Sequence, residues 1–322
     1  MSVDELLEEV DVLVHESAAN PDIEVARRLL RLRHAAGIQM IESQDPDAEL
    51  VGPDFDAVPG AADLIEIGRD DLRPGRLRAA ILSRGCLLVR GLAKPDEADQ
   101  LLRGIRQAFD ARSRRDGAAA DGYYEEFIPA PSYASTLAQR AWIEEGGALL
   151  AVDSPRLSLQ LRSILQGMGF LELVRDYLGG RAVVSAQKTT FRKAASGVKG
   201  AWHQDGKFLG SVRVLNLWLS LTHCGDEAPG LDIVPRRLDS LVEAGGEGAF
   251  LEQQVPDVVA RKAAGKAGVL RPIFEPGDAL LFDDLFLHQT GSDPGMTETR
   301  FALESWFFAP STFPTGYAPL AA

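Results

Sequence analysis

At residue 181 the hydrophobic period of this chain changes. Upstream, apolar residues recur every three to four positions; downstream they alternate, as in half-buried strands. The run Val212 to Thr222 alternates strictly, with Leu215, Leu217, Leu219 and Leu221 on one face and Asn216, Trp218, Ser220 and Thr222 on the other. Arg181 to Lys193 also alternates and is rich in Val, Thr and Phe. Glu275-Pro276-Gly277-Asp278 holds the Pro-Gly pair of a type II turn and leads into a strand at Ala279 to Phe282. Arg300 to Phe308 reads as a last strand, and a helical insertion is expected near 239–265. Helices precede strands and do not alternate with them, which disfavours a doubly wound parallel sheet. The expected class is α+β, a β-barrel or sandwich braced by helices.

The helical half carries its own signals. Ser2-Val3-Asp4-Glu5 is a capping box, followed by Leu6, Leu7, Val10 and Leu13 at helical spacing. Asn20-Pro21 suggests a second start, continued by Ile23, Ala26, Leu29, Leu30 and His34. His15 and His34 read as helix side chains, not ligands. Residues 44–75 are loop-rich, 77–83 suit a short helix, Cys86 to Arg90 a buried strand, and 94–114 a helix with acids first and bases last. The aromatic stretch Gly122 to Pro129 suits a pocket-lining loop or packed surface. Helical patterns return at 135–151 and 155–178, the second ending at Gly179-Gly180.

Composition narrows the function classes. A chain of 322 residues with 45% hydrophobic content can bury a large core, as one large domain or two small ones. A net charge of −13 argues against holding nucleic acid through its phosphates and against docking on an anionic membrane. Cys86 and Cys224 are too few for a disulfide scaffold, the N-terminus is acidic where a secretory signal is basic, and no apolar run reaches about 20 residues. The expectation is a cytoplasmic protein.

Two of the five histidines sit in informative settings. In Trp202-His203-Gln204-Asp205-Gly206, an extended backbone would put His203 and Asp205 on one side. His288 follows the turn and strand in Asp284-Leu285-Phe286-Leu287-His288-Gln289-Thr290-Gly291. Two imidazoles and a carboxylate facing each other across a barrel are the facial triad that suits non-haem Fe(II). Arg300, at the start of the last strand, lacks an obvious acidic partner, which makes a ligand carboxylate a candidate. Glu304, on the same face as Arg300, is either a substrate contact or the partner of a basic neighbour. Residues 181–213 hold Arg181, Lys188, Arg192, Lys193, Lys199, Lys207 and Arg213 against one acid, Asp205. That run either attracts an anionic substrate or is a lysine-protected strand edge.

WHQD (202–205), LNLWLSLT (215–222), APGLDIVP (228–235), EPGDALLFDDLFLHQTG (275–291) and RFALESWFF (300–308), in this order, resemble the phytanoyl-CoA dioxygenase family of Fe(II)/2-oxoglutarate oxygenases. The resemblance covers roughly 80–308 and is sharp over 187–308. It implies a double-stranded β-helix, a jelly-roll or cupin-like barrel, braced by N-terminal helices. It implies one oxygenase domain over 1–322, with a helical extension at 1–75, a family core at 80–308 and the barrel mainly at 181–308. It implies His203, Asp205 and His288 as iron ligands. Arg300 would hold the distal carboxylate of 2-oxoglutarate, with Thr290 beside it and Gln187, Asn216 and Trp218 lining the co-substrate pocket. For Gln187 an ordinary solvent-facing position is the competing reading. The implied activity is hydroxylation of a C–H bond of a small organic substrate by Fe(II), 2-oxoglutarate and O2, with release of succinate. The chain departs from relatives at Pro235-Arg236-Arg237-Leu238, where a Pro-Gly-Ser-His run is common, which puts the substrate side in doubt. Asp205 is present where halogenating relatives have a small residue, which favours hydroxylation. The alternatives are an inactive cupin-like metal or small-molecule binding protein and a metal-dependent isomerase that makes no succinate. The expected partner is a small molecule, anionic ones included, with no nucleic acid or membrane; the chain would be a monomer or homodimer.

Overall fold

A computed structural model describes residues 1–17, 22–43, 49–58, 60, 63–114, 121–138, 140–198, 200–210, 212–245 and 254–322. In chain order the elements are α1 (Val3–Ser17), α2 (Ile23–Ser43), β1 (Glu66–Gly68), α3 (Pro74–Arg84), β2 (Cys86–Arg90), α4 (Pro95–Arg114), α5 (Arg140–Glu145), β3 (Ala148–Leu150), α6 (Pro155–Gly167) and α7 (Phe170–Leu178). They continue with β4 (Val183–Ala194), the short turn α8 (Gly206–Leu209), β5 (Val214–Ser220), β6 (Gly230–Ile233), α9 (Asp257–Ala264), β7 (Ala279–Phe282), β8 (His288–Gly291), β9 (Arg300–Phe308) and β10 (Pro319–Ala321).

The main sheet runs β1-β2-β7-β5-β9-β4-β10, with β3 also on β4, and a second sheet pairs β6 with β8. All pairs are antiparallel except β1 with β2. This is the double-stranded β-helix layout, one large and one small sheet facing each other. Side-chain alternation separates two cores. Leu215, Leu217 and Leu219 of β5 join Leu281, Leu303 and Phe307 in a layer that meets the helices. Each fully buried leucine contributes about 1.5–3 kcal/mol to that layer. The opposite faces place Trp218, Leu280, Phe282, Ala302, Trp306 and Phe308 in the barrel interior, with Leu231 and Ile233 of the small sheet. The leucine stripe therefore faces the helices, and the Asn216/Trp218 face lines the barrel.

The N-terminal capping box forms: Glu5 N–H donates to Ser2 Oγ at 3.2 Å, and Ser2 N donates to Glu5 Oε2 at 2.6 Å. Asn20-Pro21 lies outside the described residues; Asp22 Oδ1 accepts Glu24 N–H at 3.0 Å at the start of α2. His34 is buried and joins two segments. Its Nδ1 meets Pro319 O at 2.7 Å and its Nε2 accepts Ala130 N–H at 3.0 Å, so it is a tie and not a ligand. No helix among the described residues is long and apolar enough to cross a membrane.

Several expectations need correction. The pattern at 135–151 is a 3-10 turn (Pro131–Leu137), α5 and then β3. The break is Gly147, at φ 76°, where a Cβ would lie 2.5 Å from Lys193 O. The pattern at 155–178 is two helices divided at Gly169, again in the left-handed region. Near 239–265 only α9 is helical among the described residues, 246–253 lying outside them. β1 was hidden in the loop-rich stretch. The Glu275–Asp278 turn is present, with Gly277 at φ 96° and Asp278 Oδ2 accepting Glu275 N–H at 2.9 Å. Finally, β4 is no sheet edge: β9 flanks it on one side, β3 and β10 on the other. Its basic residues therefore do not serve as edge protection. Lys199 lies outside the described residues.

Candidate metal centre

His203 and His288 meet across an antiparallel bridge. His203 N–H donates to His288 O at 3.0 Å and His288 N–H returns to His203 O at 3.2 Å, with ring centroids 4.4 Å apart. Each ring also faces a carbonyl through Nδ1: Ala201 O at 2.8 Å for His203 and Phe286 O at 3.1 Å for His288. A carbonyl can only accept, so Nδ1 carries the proton and Nε2 keeps its lone pair.

Asp205 reaches the same point by a different route from the one the sequence suggests. The extended backbone ends at the His203 bridge, and Asp205 is helical (φ −65°, ψ −25°), opening α8. Its carbonyl takes the N–H groups of Phe208 and Leu209, while its carboxylate turns inward. Asp205 Oδ2 lies 3.9 Å from His288 Nε2, and one ligand atom from each of the three residues falls within 4.8 Å of the others. Between the two ligands Gln204 points away and clamps the neighbouring loops. It donates to Leu285 O at 2.6 Å and accepts Val242 N–H at 2.7 Å.

The electrostatics of the group favour a cation. Burial pushes the Asp205 carboxyl above the usual range, against the pull of His203 and Lys188. Burial, with His203 alongside, drops His288 to about 3. Asp205 Oδ2 is buried with no hydrogen-bond partner. Two imidazole nitrogens and one unbonded carboxylate oxygen fit a divalent first-row ion with open positions, ferrous iron among them. Cys86 and Cys224 are buried elsewhere and offer no thiolate to this group.

The low value for His288 has a measurable consequence. Its folded pKa lies below the ordinary 6.5, so between about 6.5 and 3 the unfolded chain gains a proton that the folded chain refuses. That contribution costs stability as the pH falls through this window; Asp205, raised by burial, acts in the opposite sense. His288→Leu is expected to flatten the acid limb of the Tm–pH curve of the metal-free protein. An unchanged limb would show that His288 is not held neutral.

Arg300 is buried at the start of β9, on the interior face. Nη1 donates to Gly230 O at 2.8 Å, the guanidinium lies 5.5 Å from the Trp218 ring, and Nε has no partner. Among the described residues no carboxylate lies within 4 Å of it, and burial lowers its pKa to about 10. Asn216 is wholly buried beside Trp306 and Phe282 in register, and neither atom of its amide is bonded. Thr290 shares His288's face of β8 and sits opposite Leu231, one position from the Gly230 that anchors Arg300. An unmatched cation and a hydroxyl side by side fit one carboxylate of a dicarboxylate such as 2-oxoglutarate, whereas the Asn216 amide lies opposite Trp306, six residues from Arg300 along β9. Gln187 does not join them. Its amide oxygen accepts Ala318 N–H at 3.0 Å and its nitrogen donates to Thr136 O at 2.9 Å. It is neither solvent-facing nor free to bind a co-substrate; it ties β4 to β10 and the 131–137 turn.

Glu304 faces inward and pairs with Arg192, Nε to Oε2 at 2.5 Å, while Trp306 Nε1 donates to Oε1 at 3.2 Å. Burial alone would raise its pKa, but Arg192, Lys188 and His288 outweigh it and hold it at about 2. The aromatic stretch at 122–129 wraps Asp153, which accepts Phe127 N–H at 2.7 Å and pairs with Arg140; it is packed structure. Sequence reasoning missed that Lys188 and Arg192 project into the barrel. The signal was the register of β4 on β9, broken by an irregularity between Val184 and Thr189 that no sequence period reveals.

The phytanoyl-CoA dioxygenase family model matches residues 82–294. The chain belongs to the phytanoyl-CoA dioxygenase family. That family is one of iron(II)- and 2-oxoglutarate-dependent oxygenases, and the His–Asp–His group falls within the matched segment. An L-proline trans-4-hydroxylase of Streptomyces griseoviridis is 27% identical over 141 residues, 38% of this chain and 53% of that protein. The match thus spans about half the length of that relative. Among solved structures, EctD from S. alaskensis with 2-oxoglutarate and 5-hydroxyectoine has a TM-score of 0.52 at 18% identity, covering 84% of this chain and 86% of the other. Its apo form gives the same TM-score, with 84% and 87% covered. The likeness establishes the family's double-stranded β-helix fold for this chain.

Proposed function

We propose that this member of the phytanoyl-CoA dioxygenase family is an Fe(II)/2-oxoglutarate-dependent hydroxylase of a small organic substrate, acting as one oxygenase domain whose N-terminal helices brace the sheet. The observation that carries the reading is the pairing of two unsatisfied groups in one interior: a carboxylate oxygen with no hydrogen bond at Asp205, and a guanidinium with no acid at Arg300. Each lacks what the other half of an iron–dicarboxylate pair would bring.

His203, Asp205 and His288 would hold the ion, and Arg300 the far end of 2-oxoglutarate with Thr290 beside it, while Asn216, level with Trp306, faces another part of the interior. When bound, iron and 2-oxoglutarate supply the oxidising chemistry: one oxygen atom of O2 goes to the substrate C–H bond as hydroxyl, the other to succinate, and carbon dioxide leaves. The chain's own part is geometry and exclusion of water. The carbonyls at Ala201 and Phe286 fix both imidazoles as Nδ1–H tautomers, which aims Nε2 inward. Trp218, Phe282, Trp306 and Phe308 keep the interior apolar, which strengthens every charge interaction inside it. The partial match to a proline hydroxylase supports hydroxylation at a saturated carbon. The inward-facing cations of β4 favour an anionic substrate.

The test is reconstitution with Fe(II) under anaerobic conditions. Adding 2-oxoglutarate is expected to produce a metal-to-ligand charge-transfer band, and admitting oxygen to produce succinate. A band without succinate under any substrate would instead mark a binding protein, and succinate-free turnover an isomerase.

A further inference from the structure

The interior wall formed by β4 and β9 is one anion short. Lys188, Thr190 and Arg192 line it from β4, and Glu304 stands opposite Thr190 on β9. Both oxygens of Glu304 are occupied, by Arg192 and Trp306. Asp205 belongs to the metal triad. Lys188 is left over. Its ammonium sits 3.9 Å from the centre of the Phe208 ring and makes no hydrogen bond or ion pair within 4 Å among the described residues. Its charge leans on Asp205 and Glu304 from a distance. Close by, Thr190 Oγ1 is buried with no hydrogen-bond partner. A divalent ion at the triad would take up the charge of Asp205 and leave Lys188 without an anion of its own, a costly arrangement for a buried ammonium.

We infer that Lys188 anchors a carboxylate of the prime substrate, with Thr190 Oγ1 as the second hydrogen-bonding group, so that the substrate is a small carboxylic acid. This rests on the oxygenase reading above and deepens it. The same chemistry could come from the metal-side carboxylate of 2-oxoglutarate. Register keeps Lys188 from the distal carboxylate: Arg300 pairs with Ala194, six residues from Lys188 along β4, about 20 Å of extended backbone. The two unmatched cations therefore meet different anionic groups.

The experiment separates the sources. Anaerobic wild-type protein with Fe(II) is titrated with 2-oxoglutarate, following the charge-transfer band. It is then titrated with L-amino acids and short aliphatic acids, each beside its carboxamide, following the shift of that band. At least one acid is expected to shift the band where its amide does not. In Lys188→Met the Kd for that acid should rise about ten- to a hundredfold, the worth of a charge-assisted hydrogen bond, while the Kd for 2-oxoglutarate stays within about threefold. Lys188→Arg should retain most of the acid preference. A tenfold weaker 2-oxoglutarate complex in Lys188→Met would assign the lysine to the co-substrate and overturn the inference. So would acids and amides that bind alike, or a Lys188→Met protein that binds the acid as wild type does. Absence of any band in wild type would mark failure of the oxygenase reading itself, before Lys188 is touched. The Met variant should melt at or above wild type, because it removes an ammonium without a hydrogen bond. A lower Tm shared by Lys188→Arg would mean that the position serves packing, against the inference.

Discussion

Asp205→Ala is expected to abolish ferrous-iron binding at the triad while leaving the metal-free protein at least as stable as wild type. The two halves of this outcome have one cause. Asp205 is buried, its carboxyl is raised by that burial, and Oδ2 has no hydrogen-bond partner. A buried polar atom without a partner costs about 1–3 kcal/mol, so removing it offsets the small cavity that Ala leaves. Removal of a supporting group around a metal already costs about 10–100-fold in affinity, and loss of a ligand costs more. Two measurements decide it. Isothermal titration with Fe(II) under argon should show binding in wild type and none in the variant. Thermal melts should show a metal-induced rise only in wild type, with the metal-free curves coincident or the variant higher by a few degrees, on the order of 2–4 °C per kcal/mol. An Asp205→Ala protein that binds iron as wild type does would falsify the assignment of the triad. One that is much less stable without metal would show that Asp205 is a structural residue.

Arg300→Ala should weaken 2-oxoglutarate binding by about 100-fold or more, since the partner charge would be left desolvated. Arg300→Lys should fall in between. It keeps the charge but loses the planar fork, and an ammonium cannot hold the Gly230 carbonyl and a carboxylate in the same geometry. Iron affinity should not move in either variant, because Arg300 lies among Gly230, Pro229 and Trp218 and touches no member of the triad. The charge-transfer band titrated with 2-oxoglutarate at fixed Fe(II) reads the two affinities separately. Equal 2-oxoglutarate affinity in all three proteins would remove Arg300 from the site.

Much of this was legible in the sequence, for identifiable reasons. The faces of β5 follow from a strict two-residue period, so the leucines against the helices and Asn216/Trp218 toward the interior could be read directly. His203, Asp205 and His288 could be named because histidine is scarce, five in the chain, and because the order of the motifs around them resembles the family's. The mechanism of convergence could not: Asp205 arrives through a helical turn, a backbone choice that the HQD triplet does not encode. Gln187 and Lys188 are neighbours on a stretch of β4 whose pairing with β9 is irregular, so the strand period does not tell which of the two faces inward. Gln187 faces the C-terminal strand, against expectation, and Lys188 the barrel, in keeping with one of the two readings of the basic run. β1 and β3 are three residues long, too short for any period to announce them. The fate of the basic run depended on whether β4 lies at an edge, and only its pairing with strands about 40 residues upstream and more than 100 downstream answers that.

The reciprocal backbone bonds between His203 and His288 bear on how fast the site can be loaded. The separation of the two imidazoles is set by the spacing of hydrogen-bonded strands, and their tautomers by carbonyls that belong to the same backbone. Neither waits for an ion. Only the Asp205 carboxylate, held at the start of a short turn with one oxygen unbonded, has an adjustment left to make. Capture of a metal would then ask little of the backbone, because strand pairing and one short turn already bring the three ligand atoms within 4.8 Å of one another.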